Sequence, residues 1–277
     1  MKQIAFLLLV AFTTTVTLAQ KKDKIKGSKI ITHTIKEVEP FENIEIEDNV
    51  EIYLVKADSP SIEVEADDNL HDVVNFAVTG NTLRITTLKT VSSAKKFELR
   101  VNYAAELKLI TVKNEAKLHA LNDLQLDTIT IKNFDNSISY LNVNSNAFTL
   151  ILEDKSEAEI NVKAQNTTLQ LSKSAELKAL VASPEVTIDL YEKAEAKIEG
   201  DATHAKIRLD NNANLTASKF SVGSIDLTVE NYAKCEVNAV TDIAISASGK
   251  TQVELYGEPK IEIRKFTNTT TLYKKEK

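Results

Sequence analysis

The feature that most constrains this chain is a repeat running from Ile110 to Tyr273. Marking the second of two alternating apolar residues in each unit gives Val112, Ile131, Leu152, Leu171, Leu190, Leu209, Val229, Ala247 and Ile263, at steps of 19, 21, 19, 19, 19, 20, 18 and 16 residues. A nearly fixed period of this length is the mark of a solenoid, in which one short unit stacks on the next because none can bury its apolar face alone. Two residues before each mark stand Ile110, Ile129, Leu150, Leu169, Ile188, Ile207, Leu227, Ile245 and Ile261. That alternation has period two, so the units contain short strands with one face buried. Four residues after the mark the column is mostly small, from Ala116 through Asp135, Ser156, Ala175, Ala194, Ala213 and Ala233 to Thr251 and Thr267. Six and eight after, a second alternating strand begins, with entries such as Leu177 and Ala179, and ending at Thr269 and Thr271.

Short strands at this spacing suit either an antiparallel sandwich or a parallel coil. A run of hairpins needs many residues at positive φ, usually supplied by Asn-Gly, Asp-Gly or Gly-Gly. No such pair occurs, and the chain has 6 glycines. A coil instead sets each residue above its counterpart, so that every offset becomes a column of one size class, as seen here. Asparagines near the corners, among them Asn114, Asn211, Asn212 and Asn231, tolerate the left-handed backbone region. The repeat therefore predicts an all-β chain forming a parallel β-helix with rungs of about 19 residues, a rod on the order of 40 Å long at about 4.8 Å per rung.

Residues 1–19 read as a secretory signal: Lys2, an apolar run from Ile4 to Phe12, and Thr17-Leu18-Ala19 before Gln20. No later apolar run has membrane-spanning length. The expected location is the periplasm, the cell surface or the medium. Residues 20–38 read as a polar lead-in and a first edge strand, and 39–277 as one β-helix domain, with irregular rungs over 39–105 and regular ones over 106–277. Without Lys2, 33 of the 34 basic residues stand against 40 acidic ones, near minus seven in all. The two signs alternate along the outward faces, which argues against a nucleic-acid partner.

The run Val38-Glu39-Pro40-Phe41-Glu42-Asn43-Ile44-Glu45-Ile46, with Val50-Glu51-Ile52-Tyr53-Leu54, Ile62-Glu63-Val64-Glu65-Ala66-Asp67-Asp68-Asn69-Leu70 and Gly80-Asn81-Thr82-Leu83-Arg84-Ile85, resembles the opening of the auto-transporter adhesin head (GIN) domain family. The likeness covers about residues 27 to 260. It implies a right-handed, single-stranded parallel β-helix in the envelope or outside the cell, and it carries over no catalytic or ligand residues. The chain departs from that family in lacking most of its Gly-Ser corners, and it has no membrane-barrel segment.

Little in the sequence points to chemistry. Some β-helices cleave polysaccharides with clustered carboxylates. The outward Glu153, Asp154, Glu157, Glu159, Asp189, Glu192, Glu195, Glu199, Asp210 and Glu230 alternate with lysines and read as a solvated face. Asp135, the odd member of its small column, reads as a side chain pointing out at a longer corner. His33, His71, His119 and His204 are scattered and read as surface positions; no pair has metal-ligand spacing, so no metal site and no cofactor are expected. The lone Cys235 could be a nucleophile or an intermolecular bridge, and its column reads as a packed core thiol. Exposed aromatics can stack on sugar rings, which makes Tyr140, Tyr191, Tyr232 and Tyr256, in or near corners, the candidate binding residues. The expected function is a noncatalytic envelope protein binding a glycan or a protein partner. The alternatives are a polysaccharide-active enzyme and a scaffold whose open coil ends pair with another chain. Oligomeric state is not readable from the sequence.

Overall fold

A computed structural model describes residues 22–276; the expected signal segment, 1–19, lies outside the described residues. The chain forms a β-solenoid of about nine turns with rungs of about 19 residues. From Leu109 onward each strand pairs in parallel with its counterpart one turn away, as in Glu157↔Glu176↔Glu195 and Leu169↔Ile188↔Ile207.

Each turn has one sharp corner. The backbone takes positive φ at Asp48, Asn114, Asp135, Asp154, Lys173, Glu192, Asn211, Asn231, Gly249 and Asn268, always two residues after the last inward residue of the first strand. The corner closes with a bond from the N–H two positions further on to the carbonyl one position before, as in Ala194 N–H to Tyr191 O and Ala213 N–H to Asp210 O. Successive corners also bond to each other, as in Lys155 N–H to Asp135 O at 2.8 Å and Asn212 N–H to Glu192 O at 2.7 Å. The backbone ladder thus continues through the bend and leaves few polar groups unpaired there. Asp135 belongs to this outward, left-handed column.

The observed register corrects the sequence reading at two rungs. Val112 lies against Asn133, and Asn133 against Leu152, so the second rung is marked by Asn133 and not by Ile131. Its small corner residue is Ser137, which is fully buried. Near the end, a bulge between Ile245 and Ser246 brings Ala247 against Phe266, so Phe266 replaces Ile263. Thr270, Leu272 and Lys274 then take the places expected for Thr267, Thr269 and Thr271. The steps from mark to mark become 21, 19, 19, 19, 19, 20, 18 and 19.

With the rungs in register, the core columns compensate one another. Six and eight residues after the mark the pairs read Leu118/Ala120, Ser139/Leu141, Ala158/Ile160, Leu177/Ala179, Ala196/Ile198 and Leu215/Ala217. One member is large where its neighbour is small, which keeps the volume of each layer nearly constant. Cys235 and Val237 continue the series. Cys235 is buried, and burial pushes its thiol up to about 12, so it is a core residue and a poor nucleophile.

The N-terminal part is built differently from a plain stack. Asn43–Ile46 lies between Thr82–Thr87 and Leu109–Val112. Glu51–Lys56 lies between Phe97–Tyr103 and the start of Lys117–Asn133. The outermost turn therefore comes from residues later in the chain than the turn it covers. Antiparallel strands flank it: Val74–Thr79 on Thr82–Thr87, and Ser61–Asp67 on Phe97–Tyr103, with Ile31–Glu37 outside. A 3-10 turn, Asp68–Val73, inserts Leu70 and Val73 into the core. Lys24–Lys26 pairs separately with Thr90–Ser93.

Candidate functional site

Parallel, in-register stacking sets outward side chains of one column about 4.8 Å apart, close to the spacing of stacked aromatic rings. The column seven residues after the mark begins Tyr53, His119, Tyr140 and continues Glu159, Lys178, Lys197. The Tyr53 and His119 rings stack at 4.7 Å between centroids and 12°, and His119 and Tyr140 at 5.0 Å and 15°. Tyr53 donates its hydroxyl to Glu51 Oε1 at 3.0 Å; burial and that bond push its phenol up to about 12. The same Glu51 oxygen lies 2.9 Å from His119 Nε2, outside hydrogen-bond alignment. His119 is thus no surface bystander: its side chain is 14% exposed and wedged between two rings.

Tyr140 ends the stack. One ring face rests on His119, and the residue next in its column is Glu159. A shallow depression of about 450 Å³ opens there, lined by Tyr140, Asn142, Asn161, Glu159, Lys178 and Leu180, among others. A second hollow of about 240 Å³ shares Tyr140, Glu159, Lys178 and Lys197 with it, so the two form one trough whose shared residues span four rungs. Its chemistry is that of a shallow polar-ligand site: an aromatic platform, two amides, charges of both signs and an exposed Leu180.

The other three tyrosines lie elsewhere. Tyr191 is at a corner, with the Arg208 guanidinium 6.0 Å above its ring. Tyr232, 60% exposed, is at the corner two turns on. Tyr256 is half-buried on the same face as Tyr140 but six rungs away, roughly 29 Å at that spacing. The four do not form one site. The stack escaped sequence reading because, with Ile131 as the mark, Tyr140 falls out of the column that holds Tyr53 and His119.

The outward carboxylates are dispersed and several are paired. Asp154 accepts from Lys173 at 2.6 Å, a bond that holds its carboxyl below the usual range; Glu230 accepts from Arg208 at 3.0 Å, and Glu199 lies between Lys197 and Lys219. Among the described residues no three His, Cys, Asp or Glu side chains are grouped to hold a metal ion, and no helix is long and apolar enough to cross a membrane.

Residues 40–259 match the family described as "Putative auto-transporter adhesin, head GIN domain". Among solved structures, a "putative adhesin" from Parabacteroides distasonis is 20% identical, with a TM-score of 0.68 over 91% of this chain and 100% of that one. A "putative adhesin" from Parabacteroides merdae is 17% identical, with a TM-score of 0.64 over 92% and 99%. A "putative lipid binding protein" from Parabacteroides distasonis is 15% identical, with a TM-score of 0.57 over 91% and 99%. At these identities the likeness is one of fold. A search of curated proteins gives no match.

Proposed function

Because this chain belongs to the auto-transporter adhesin head GIN domain family over residues 40–259, we propose that it is an exported, noncatalytic envelope protein that binds a glycan across the Tyr140 trough. The observation that carries the reading is the Tyr140 ring, braced from behind by His119 and Tyr53 and fronting the depression. A platform held in place before the ligand arrives loses little entropy on binding. The apolar C–H face of a sugar packs on such a ring, while Asn142, Asn161, Glu159 and Lys178 stand within the same trough to meet its hydroxyls. The dispersal and pairing of the carboxylates support binding without turnover.

The test is binding of the purified chain to an array of envelope and host glycans, with Tyr140→Ala beside it and reducing-end release assayed on every hit. The expected result is binding without turnover that falls about ten-fold or more in the variant, the loss of one stacking contact of about 1–2 kcal/mol. Turnover, glycan binding indifferent to Tyr140→Ala, or retention only on lipid vesicles overturns the reading.

A further inference from the structure

Between Thr82–Thr87 and Phe97–Tyr103 the outermost turn makes an excursion through Thr90–Ser93, which pairs in parallel with Lys24–Lys26. Ile25 and Val91 lie opposite each other in that ribbon and pack against the core. Alternation along the strand therefore sends Lys24 and Lys26 outward, where both are exposed. The ribbon and its flanks, 22–30 and 87–96, hold seven lysines and a single acidic residue, Asp23, in a chain whose formal net charge is -6. Lys22 is paired with Asp48, and Lys96 with Glu98 and Glu65. Among the described residues the other five, Lys24, Lys26, Lys29, Lys89 and Lys95, are exposed and have no ion-pair partner. Strand register groups them: Lys89 precedes Thr90, the partner of Lys24, and the Lys29 ammonium lies 3.0 Å from the hydroxyl of Ser93, the partner of Lys26. On the adjoining 3-10 turn Asp67 is buried under backbone donors and Asp68 accepts from Ser28, which leaves Asp23 and Asp72 as the free carboxylates beside five free ammonium groups. Two large apolar side chains stand in the same patch. Ile30 follows Lys29 and Leu88 precedes Lys89, each 60% exposed, and their backbones bond to the two ends of the 3-10 turn, Asp68 N–H to Ile30 O and Leu88 N–H to Val73 O.

We infer that this capped end docks on an anionic lipid bilayer, with the five lysines over the phosphate headgroups and Ile30 and Leu88 dipping between them. Charge complementarity selects the partner: a cluster of this many lysines is drawn to an anionic membrane surface, and the attraction acts within a Debye length. The apolar pair selects a bilayer over a soluble polyanion, since a hydrated phosphate chain has no apolar layer to receive two aliphatic side chains. Composition points the same way. Residues 22–30 and 87–96 contain neither arginine nor an aromatic ring, the groups on which nucleic-acid readers rely. Lysine is a compact charge on a flexible apolar stem, suited to headgroups in no fixed array. The patch shares no residue with the Tyr140 trough, so neither needs the other to be occupied.

The experiment is co-sedimentation of the purified chain with vesicles of phosphatidylcholine alone and of phosphatidylcholine mixed with phosphatidylglycerol, at low salt and at about 500 mM, where the Debye length shrinks to about 4 Å. The expected result is retention on the anionic vesicles only, lost at high salt. Lys24→Gln, Lys26→Gln and Lys89→Gln together are expected to weaken it about a hundred-fold, at about five-fold per lysine, and Ile30→Ser with Leu88→Ser at least about ten-fold. All five substituted side chains are exposed, so the fold is retained. Equal retention on neutral vesicles overturns the inference, as do no retention on anionic ones, retention indifferent to salt or to the lysine substitutions, or equal affinity for a DNA duplex that ignores the Ile30 and Leu88 substitutions. Glycan binding at the Tyr140 trough is expected to survive the lysine substitutions, and Tyr140→Ala to leave vesicle retention unchanged, so that either reading can fail without the other.

Discussion

Asn133 shows how one side chain governs what can be read from the sequence. It occupies a column otherwise held by Val112, Leu152 and Leu171, fully buried, where an apolar residue contributes about 1.5–3 kcal/mol. It is accommodated because Ser139, on the facing strand of the same turn, answers it twice: Asn133 Nδ2 donates to Ser139 Oγ at 2.8 Å, and Ser139 donates to Asn133 Oδ1 at 2.9 Å. Ser139→Ala strands the amide in the core and is expected to cost about 1–3 kcal/mol in urea unfolding. Adding Asn133→Leu to that variant restores the Leu-and-Ala pattern of the next rung, Leu152 and Ala158, and is expected to recover most of the loss. If the double variant is no more stable than Ser139→Ala alone, the polar pair does more than satisfy itself. The same pair limited the sequence reading. Hydropathy assigns the inward position to the nearest apolar residue, Ile131, and only strand register shows that a bonded amide takes the place two residues on. Both the second rung and the Tyr140 stack were hidden by this displacement. Elsewhere the periodic Leu, Ile and Ala columns made the coil legible without coordinates, because each inward site admits one size class.

At the level of elements, the N-terminal cap was the least legible part. Its strands alternate like the others, and period two does not distinguish parallel from antiparallel pairing. What holds the cap is Asp67, fully buried. Its carboxylate accepts the backbone N–H of Lys29 at 2.9 Å, of Lys95 at 3.1 Å and of Lys96 at 3.0 Å, tying three segments together. Gly27 packs so closely that an added Cβ would sit 2.0 Å from Asp67 Oδ2. Burial alone would raise the Asp67 pKa; the three backbone donors overcome it and hold the group below its ordinary value of 3.8. A carboxyl depressed on folding contributes stability above its unfolded pKa and loses it as the pH falls toward the folded one. The thermal midpoint is therefore expected to drop between about pH 5 and pH 3, and Asp67→Asn to lower it at neutral pH and flatten that slope. An unchanged slope in the variant would assign the acid sensitivity to other carboxylates, such as Glu45, which accepts from Lys113 and Arg84.

For the whole molecule, stability in a stack is close to a sum over neighbouring turns, so protection should follow position along the rod. Amide exchange is expected to be fastest in Lys260–Asn268 and Thr271–Lys274, which among the described residues pair on one side, and slowest in Ile138–Leu152 and Glu157–Leu171, which pair on both. Equal protection throughout would mean that the rod opens as one cooperative unit. The interleaved N-terminal turns also bear on how the structure comes into being. Ile44 lies against Ile110, 66 residues later, whereas Leu171 lies against Leu190, only 19 later. A chain leaving the ribosome or a translocation pore delivers residues 43–56 long before the segments that flank them on both sides, 82–103 and 109–120, have arrived. The slow event is the closure of those long loops. Once it is done, each following turn meets a finished template as soon as it emerges, and growth proceeds at the pace of delivery in one direction only.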